Sequence, residues 1–254
     1  MATYLITSGG TQIPIDRVRH IGNMSSGTFG SKIAYEALKR GHYVYFLKAK
    51  GSKSPFDLHI DLNTKHLVSK IIKNLWFRFR YKKNYEEWEY KTFNEYKGEL
   101  EAFLDAEEGV LGVDLPPDVV ILAAAVSDYG VENPVDGKIR SKGDLDIHLT
   151  PLPKLISSVR NKLGNDKKLV GFKLLVDSTN EQLQEAVMKS VKDNKCDMVV
   201  GNDLRDIKNN DHKLMIGFPK GTIISIQGKK GDSNFLARSI ISYVDSMGPQ
   251  WEDE

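Results

Sequence analysis

A single cysteine, Cys196, stands in a chain of 254 residues, so an intramolecular disulfide and a cysteine-built zinc site are both excluded. It sits in Cys196-Asp197-Met198-Val199-Val200, where a small core thiol at the entry to a buried strand is a simpler reading than a nucleophile. Long apolar runs are missing too. Nothing approaches the roughly 20 apolar residues of a membrane span. The opening segment, Met1 to Gly10, has no basic region and too short an apolar run for a signal peptide. The expectation is a cytoplasmic protein with no membrane partner. Charge of one sign is also lacking: 36 basic against 34 acidic residues leave a net +2, which gives no global case for nucleic acid. What is present, 40% hydrophobic and 28% charged residues, excludes wholesale disorder and allows a substantial core.

Tyr4-Leu5-Ile6 reads as a short buried strand running into Thr7-Ser8-Gly9-Gly10-Thr11. After Ser25-Ser26-Gly27 comes a helical pattern, Ile33, Ala34, Ala37 and Leu38, closed by Gly41, and then a second strand, Val44 to Leu47. Strand, helix and strand in this order predict a parallel sheet. Val119 to Val126 is a continuous apolar run, expected as a strand covered on both faces. Leu169 to Phe172 and Met198 to Val200 read as further core strands, with a helix from Glu181 to Asp193 between them. Leu214 to Ile216 and Ile223 to Ile226 suggest a hairpin across Pro219-Lys220-Gly221, followed by a helix from Phe235 to Met247. The fold class is therefore α/β: a Rossmann-like, mostly parallel sheet flanked by helices, with an insertion after the second strand and a C-terminal hairpin plus helix. We expect one domain over 1–247, an insertion at about 57–117, and a frayed tail over 248–254. Within the insertion, Trp76 to Lys83 mixes aromatic and basic residues with strand-like alternation, and Tyr90 to Ala106 looks helical. Nucleic-acid stacking is the less economical reading of the first stretch. An amphipathic segment packed on the domain, or a subunit contact, accounts for it better.

Two places could carry chemistry. Ser8-Gly9-Gly10-Thr11 follows a strand, and Ser25-Ser26-Gly27-x-x-Gly30 opens a helix. Glycines let backbone approach an anion, and a helix start adds partial positive charge. The same pattern also suits plain tight turns, since the Gly-x-Gly-x-x-Gly fingerprint and the Gly-Lys-Ser/Thr loop are both missing. The second place is Ala123 to Tyr129, at the carboxyl end of the strongest strand, where open α/β sheets bind ligands. Asp128 there either begins a turn or faces a ligand. Lys138, Arg140 and Lys142 put three cations in five residues, suited to a triphosphate or to a solvated loop.

Asp16-Arg17-Val18-Arg19-His20-Ile21-Gly22-Asn23-Met24-Ser25-Ser26-Gly27 resembles the N-terminal signature of the phosphopantothenoylcysteine synthetase (phosphopantothenate–cysteine ligase) family. Ala123 to Tyr129 with Lys138-Ile139 beyond it looks like that family's nucleotide segment. Pro153-Lys154-Leu155-Ile156, Gly171-Phe172-Lys173-Leu174 and Gly201-Asn202-Asp203 follow in order. The resemblance covers most of 3–60 and 117–226.

The resemblance implies a carbon–nitrogen ligase of coenzyme A biosynthesis. The carboxylate of 4′-phosphopantothenate attacks the α-phosphorus of CTP or ATP, and L-cysteine then takes the acyl group. No protein nucleophile is needed, and Mg2+ would accompany the nucleotide rather than sit in a protein cage. By the same resemblance Asn23 holds the substrate carboxylate and then the acyl intermediate, and Lys138 grips the triphosphate. Leu122, Ala123, Ala124 and Asp128 line the nucleoside side, completed by Pro153, Lys154, Leu155, Ile156 and Phe172. Ser8, Gly9, Gly10, Thr11, Ser25, Ser26 and Gly27 take ligand phosphates. The family is dimeric, so a homodimer is implied, and the chain reads as a stand-alone synthetase without a decarboxylase domain.

Three departures from the pattern are visible. Lys138-Ile139-Arg140 replaces the usual Lys-Ile-Lys, which keeps charge but changes geometry. The two lysines expected after the Phe172 strand have only Lys189 and Lys192 as counterparts, out of register. The insertion is longer than in bacterial members, which leaves CTP or ATP open. A nicotinamide-dependent oxidoreductase and a nucleotide-binding regulatory protein are the alternatives. The first would want an acidic residue closing the second strand, which instead ends Leu47-Lys48-Ala49-Lys50; a lysine there suits a phosphorylated cofactor.

Overall fold

A computed structural model describes residues 1–57, 67–106, 115–208, 213–228, 233–248 and 251. The chain opens with β1 (Thr3–Ser8), the short strands β2 (Gln12–Pro14) and β3 (His20–Gly22), helix α1 (Thr28–Lys39) and β4 (Tyr43–Ala49). Helix α2 (Leu67–Tyr81), β5 (Tyr85–Tyr90) and α3 (Phe93–Leu104) follow, then β6 (Val119–Leu122) and the short β7 (Tyr129–Val131) and β8 (Leu149–Pro151). The second half runs α4 (Ile156–Leu163), β9 (Lys168–Leu175), α5 (Asn180–Asp193), β10 (Met198–Asp203), α6 (Leu204–Lys208), β11 (Lys213–Gly217), β12 (Ile223–Gln227) and α7 (Ser233–Ser246).

Among the described residues eight strands form one sheet in the order β12-β11-β10-β9-β6-β1-β4-β5. The six from β10 to β5 are parallel, while β11 and β12 add the expected antiparallel hairpin. Counting the parallel strands along the chain gives 3-2-1-4-5-6, the doubly wound order, whose direction reverses between β1 and β6. Ligands in such sheets bind beyond the strand ends at that reversal.

Both faces are covered. Every residue of β1 is buried, and its side chains alternate: Tyr4 and Ile6 join a cluster with α1 and α7, while Leu5 joins one with α3, α4 and α5. Helix α1 contributes Ile33, Ala34, Ala37 and Leu38, one face at 3.6-residue spacing. Full burial of Leu38 stabilises by about 1.5–3 kcal/mol. Helices α3 and α5 start with complete capping boxes, Thr92 with Glu95 and Thr179 with Gln182. Helix α5 lies close on the sheet because a Cβ at Gly201 or Gly217 would meet Val187 at 2.3 or 2.6 Å. Gly201 of the Gly201-Asn202-Asp203 motif therefore serves packing.

Three expectations need correction. Trp76 to Lys83 is no strand: Trp76 to Tyr81 close α2, and Lys82–Asn84 make a 3₁₀ turn. The reason is that Phe77 and Tyr81, four apart, pack together on one side, with Phe77 stacked 4.1 Å from Tyr35. Tyr90 ends strand β5, and the helix waits for the Thr92 cap. The apolar run from Val119 leaves the sheet after Leu122, so Ala123 to Val126 form the strand exit. Most of the expected frayed tail lies outside the described residues, but Trp251 is half-buried against the second apolar cluster. Among the described residues no helix is long and apolar enough to cross a membrane.

Candidate functional site

The loops leaving β1 and β6 are stitched together at the sheet's reversal. Ala125 N donates to the Gly9 carbonyl at 2.7 Å and Thr11 N to the Ala125 carbonyl at 3.2 Å. The Thr11 hydroxyl, fully buried, donates to Ser127 Oγ and accepts from Ser127 N. Alanines suit these positions because the two chains run backbone to backbone there.

Glycine makes a second approach possible. A Cβ on Gly10 would lie 2.6 Å from the Asn23 carbonyl oxygen. Asn23 in turn donates through Nδ2 to the Ala125 carbonyl at 3.1 Å. Three segments, 8–12, 22–26 and 123–128, thus meet at one point. Two recesses open from it, and Asn23 lines both. One, of about 340 Å³, is lined by Gly10, Thr11, Ser25 and Ser26 together with Lys50 to Lys53. The other, of about 200 Å³, is walled by Ile13, Ile21, Ser127, Asp128, Tyr129 and Leu149.

The remaining expected residues are placed as follows. Ser8 is buried and its hydroxyl donates to the Gly27 carbonyl at 3.0 Å, so both shape the loop from within. Gly27, at φ 71°, opens α1 in a left-handed conformation. Leu122 is buried at the strand end, and Ala124 N donates to Thr7 Oγ1 at 3.3 Å. Pro153 and Lys154 are exposed ahead of α4, where half-buried Leu155 leads into Ile156, which packs on Gly171. Phe172 meets Phe29 edge-on at 6.1 Å. Lys138 is exposed and lines neither recess. Its neighbours are pinned to the turn at 16–19: Arg17 N donates to Gly137 O at 2.9 Å and Ile139 N to Asp16 Oδ2 at 3.1 Å. Lys189 lies on the outer face of α5, paired with Asp193 at 2.8 Å, and Lys192 is exposed on the same helix. The fold does not bring these two lysines to the recesses.

Asp16 was legible only as part of the opening signature, yet it organises this region. It is buried and accepts from Val18 N, Arg19 N, Arg19 Nη1 and Ile139 N at 2.6–3.1 Å. Burial alone would raise its pKa, but those backbone donors and the Arg19 guanidinium outweigh it and hold the carboxyl below its usual range. The turn Lys50-Gly51-Ser52-Lys53 was missed, although a glycine among lysines after a strand is a signal of the kind looked for elsewhere. The insertion braces it: Lys50 N donates to the Tyr90 carbonyl, Gln12 N to the Lys91 carbonyl, and the Tyr90 hydroxyl to the Ser8 carbonyl, all at 2.7–2.9 Å. Cys196 is the core thiol expected, its pKa pushed up to about 12 by burial. Another recess, about 300 Å³ between α1 and α2 near Tyr35 and Phe77, gathers none of the reversal loops.

Residues 2–67 and 111–247 match the family described as DNA/pantothenate metabolism flavoprotein C-terminal domain. The "Coenzyme A biosynthesis bifunctional protein CoaBC" of Thermococcus kodakarensis is 32% identical over 84% of this chain, which spans only 44% of that protein. "Phosphopantothenate–cysteine ligase 1" of Oryza sativa subsp. japonica is 31% identical over 80% of this chain and 68% of its own length. A Cab2 variant solved in complex with phosphopantothenate-cysteine shares the fold with a TM-score of 0.77 and 22% identity, over 96% of this chain and 86% of that one.

Proposed function

The chain belongs to the family of the DNA/pantothenate metabolism flavoprotein C-terminal domain, and on that premise we propose that it ligates 4′-phosphopantothenate to L-cysteine with a nucleoside triphosphate. The observation that carries this reading is Asn23, which stands where a recess lined, among the described residues, by basic side chains and no carboxylate adjoins one holding Asp128 and Tyr129. Such a pair suits a substrate with an anionic group at one end and a reacting carboxylate at the meeting point. One amide hydrogen of Asn23 is engaged with Ala125, which leaves a second hydrogen to donate to a carboxylate or acyl oxygen.

In the first step a carboxylate oxygen of phosphopantothenate bonds to the α-phosphorus, and pyrophosphate leaves. In the second the cysteine amine bonds to the acyl carbon, and the nucleoside monophosphate leaves as the amine sheds a proton. Orientation and charge neutralisation supply the acceleration, with Asn23 at the acyl oxygen and Lys138 at the triphosphate. Lys138 would reach it from the segment that Asp16 holds, or across a homodimer. Mg2+ prefers oxygen ligands; among the described residues Asp128 is the one carboxylate lining the two recesses, so phosphate oxygens and water would complete its shell.

Of the two lysines at the end of the second strand, Lys48 is buried and already paired with Glu89 at 2.9 Å and Glu87 at 3.5 Å, so it is not free for a cofactor phosphate. The deciding assay measures pyrophosphate release that requires phosphopantothenate and NTP, together with a cysteine-dependent product of the expected mass. CTP and ATP are run side by side. Hydride transfer without ligation would overturn the reading, and light scattering reports the assembly state.

A further inference from the structure

We infer that the turn Lys50-Gly51-Ser52-Lys53 is a phosphate-binding element, in which the Lys50 ammonium and the Ser52 hydroxyl receive a phosphoryl group in the recess that Ser25 and Ser26 also line. Charge is the first ground. Among the described residues His20, Lys50 and Lys53 line that recess, and no carboxylate does. Lys50 is exposed and forms no ion pair among the described residues.

The second ground is an unspent donor. Ser52 Oγ is shut off from solvent and has no hydrogen-bond partner among the described residues. A hydroxyl left so costs stability, which a bound acceptor would return. In the same recess Gln12 Oε1 is likewise buried without a partner among the described residues, and its amide can rotate to present hydrogens instead.

The third ground is preorganisation. Ser52 nests between the two glycine stretches: a Cβ at Gly9 would come within 2.9 Å of Ser52 Oγ, and one at Gly27 within 3.0 Å of Ser52 Cβ. Lys53 N donates to the Ser26 carbonyl at 3.1 Å, tying the turn to the serine stretch. From below, the buried Lys48 donates to the Ser52 carbonyl at 3.2 Å. Its charge is already met by Glu87 and Glu89, so of Lys48 and Lys50 it is Lys50 that presents its charge to the recess.

The identity of the phosphate rests on the ligase reading, as either the monoester of phosphopantothenate or the tail of the triphosphate; the presence of the site does not. Calorimetric titration of the full chain with inorganic pyrophosphate, phosphopantothenate and CTP or ATP separates these. Lys50→Gln and Ser52→Ala should each weaken pyrophosphate and one of the two substrates by about 10- to 100-fold, the loss of one hydrogen bond to a charged group. Whichever substrate weakens identifies the source. Ser52→Ala should keep or raise Tm, because it deletes an unpartnered buried hydroxyl; a structural serine would lower it. Lys220→Gln, on the hairpin turn at the opposite sheet edge, serves as the control and should bind as wild type. Unchanged pyrophosphate affinity in both variants would overturn the inference. If wild type binds pyrophosphate but forms no ligation product, the ligase reading fails while this site stands.

Discussion

The side-chain amide of Asn23 donates to the carbonyl of Ala125, 3.1 Å away and 102 residues along the chain. That bond joins the loop after β3 to the exit of β6 at the sheet's reversal, and it holds the amide between the two recesses. Asn23→Asp removes the donor and sets a carboxylate against a carbonyl. The fold should survive, with a loss of about 0.5–1.5 kcal/mol for one exposed hydrogen bond. Ligation should nearly stop, and the acyl-nucleotidylate should accumulate in mass spectra taken without cysteine turnover. Normal ligation by the folded variant removes Asn23 from the chemistry.

Lys138→Gln tests the cation expected at the triphosphate. Pyrophosphate release should fall by about 10²–10³, equivalent to about 2.7–4 kcal/mol of transition-state stabilisation. Tm should hold, since Lys138 is exposed and its backbone neighbours, not its side chain, bind the 16–19 turn. Release at the wild-type rate would reassign the lysine to a solvated loop.

Gly10→Ala probes the close approach of two backbones. The added Cβ would stand 2.6 Å from the Asn23 carbonyl oxygen, and a main-chain atom does not yield cheaply. We expect a folded protein destabilised by about 1–3 kcal/mol, with kcat/KM reduced far more than that loss of stability accounts for. A variant with wild-type kcat/KM would show that the 22–26 segment can shift without consequence.

Away from the site, Arg160 and Asp197 form a buried ion pair. The guanidinium also donates to the carbonyls of Lys195, Gly164 and Lys167 at 2.6–2.9 Å, closing three loop ends at once. Burial pushes the Asp197 carboxyl above its usual range, against the opposing Leu169 N–H and Arg160. Arg160→Leu strands that carboxylate and should cost about 3–5 kcal/mol, read as a lower urea midpoint at unchanged m-value. A midpoint within error of wild type would refute the pair's structural role.

Asp203 supplies a pH signature. Its carboxylate accepts from Ser178 N at 2.7 Å, Ser178 Oγ at 2.8 Å and Arg205 N at 2.8 Å. The Ser178 N–H leads in lowering its pKa from 3.8 to about 2, against an opposing effect of burial. A depressed carboxylate stabilises the fold fully above its unfolded value and loses that contribution as pH falls through the folded one. Asp203→Asn should therefore lower Tm by a constant amount above pH 5, with the gap narrowing as pH falls from 4 toward 2. A gap independent of pH throughout that range would mean the carboxylate charge is not what the turn uses.

The α/β class, the terminal hairpin and the cover of β1, β9 and β10 followed from local pattern, because apolar runs and 3.6-residue spacing act between near neighbours. The opening signature and Ala123 to Asp128 were legible as candidate site residues for the same reason, each being a contiguous string. Local pattern failed at Trp76 to Tyr81, where ring packing on Tyr35 selected helix, and at Ala123, where a run as apolar as any strand turns out of the sheet to meet Gly9 and Thr11. Composition could not tell that Gly9 and Gly27 admit the side chain of Ser52. Nor could it show that Asp16 carries the backbone of Ile139, or that Tyr90 of the insertion supports Ser8. Those contacts reach as far as 123 residues of separation, for Asp16 with Ile139. Only the winding of the sheet, which sets the exits of β1, β4 and β6 side by side, decides which distant residues share a recess.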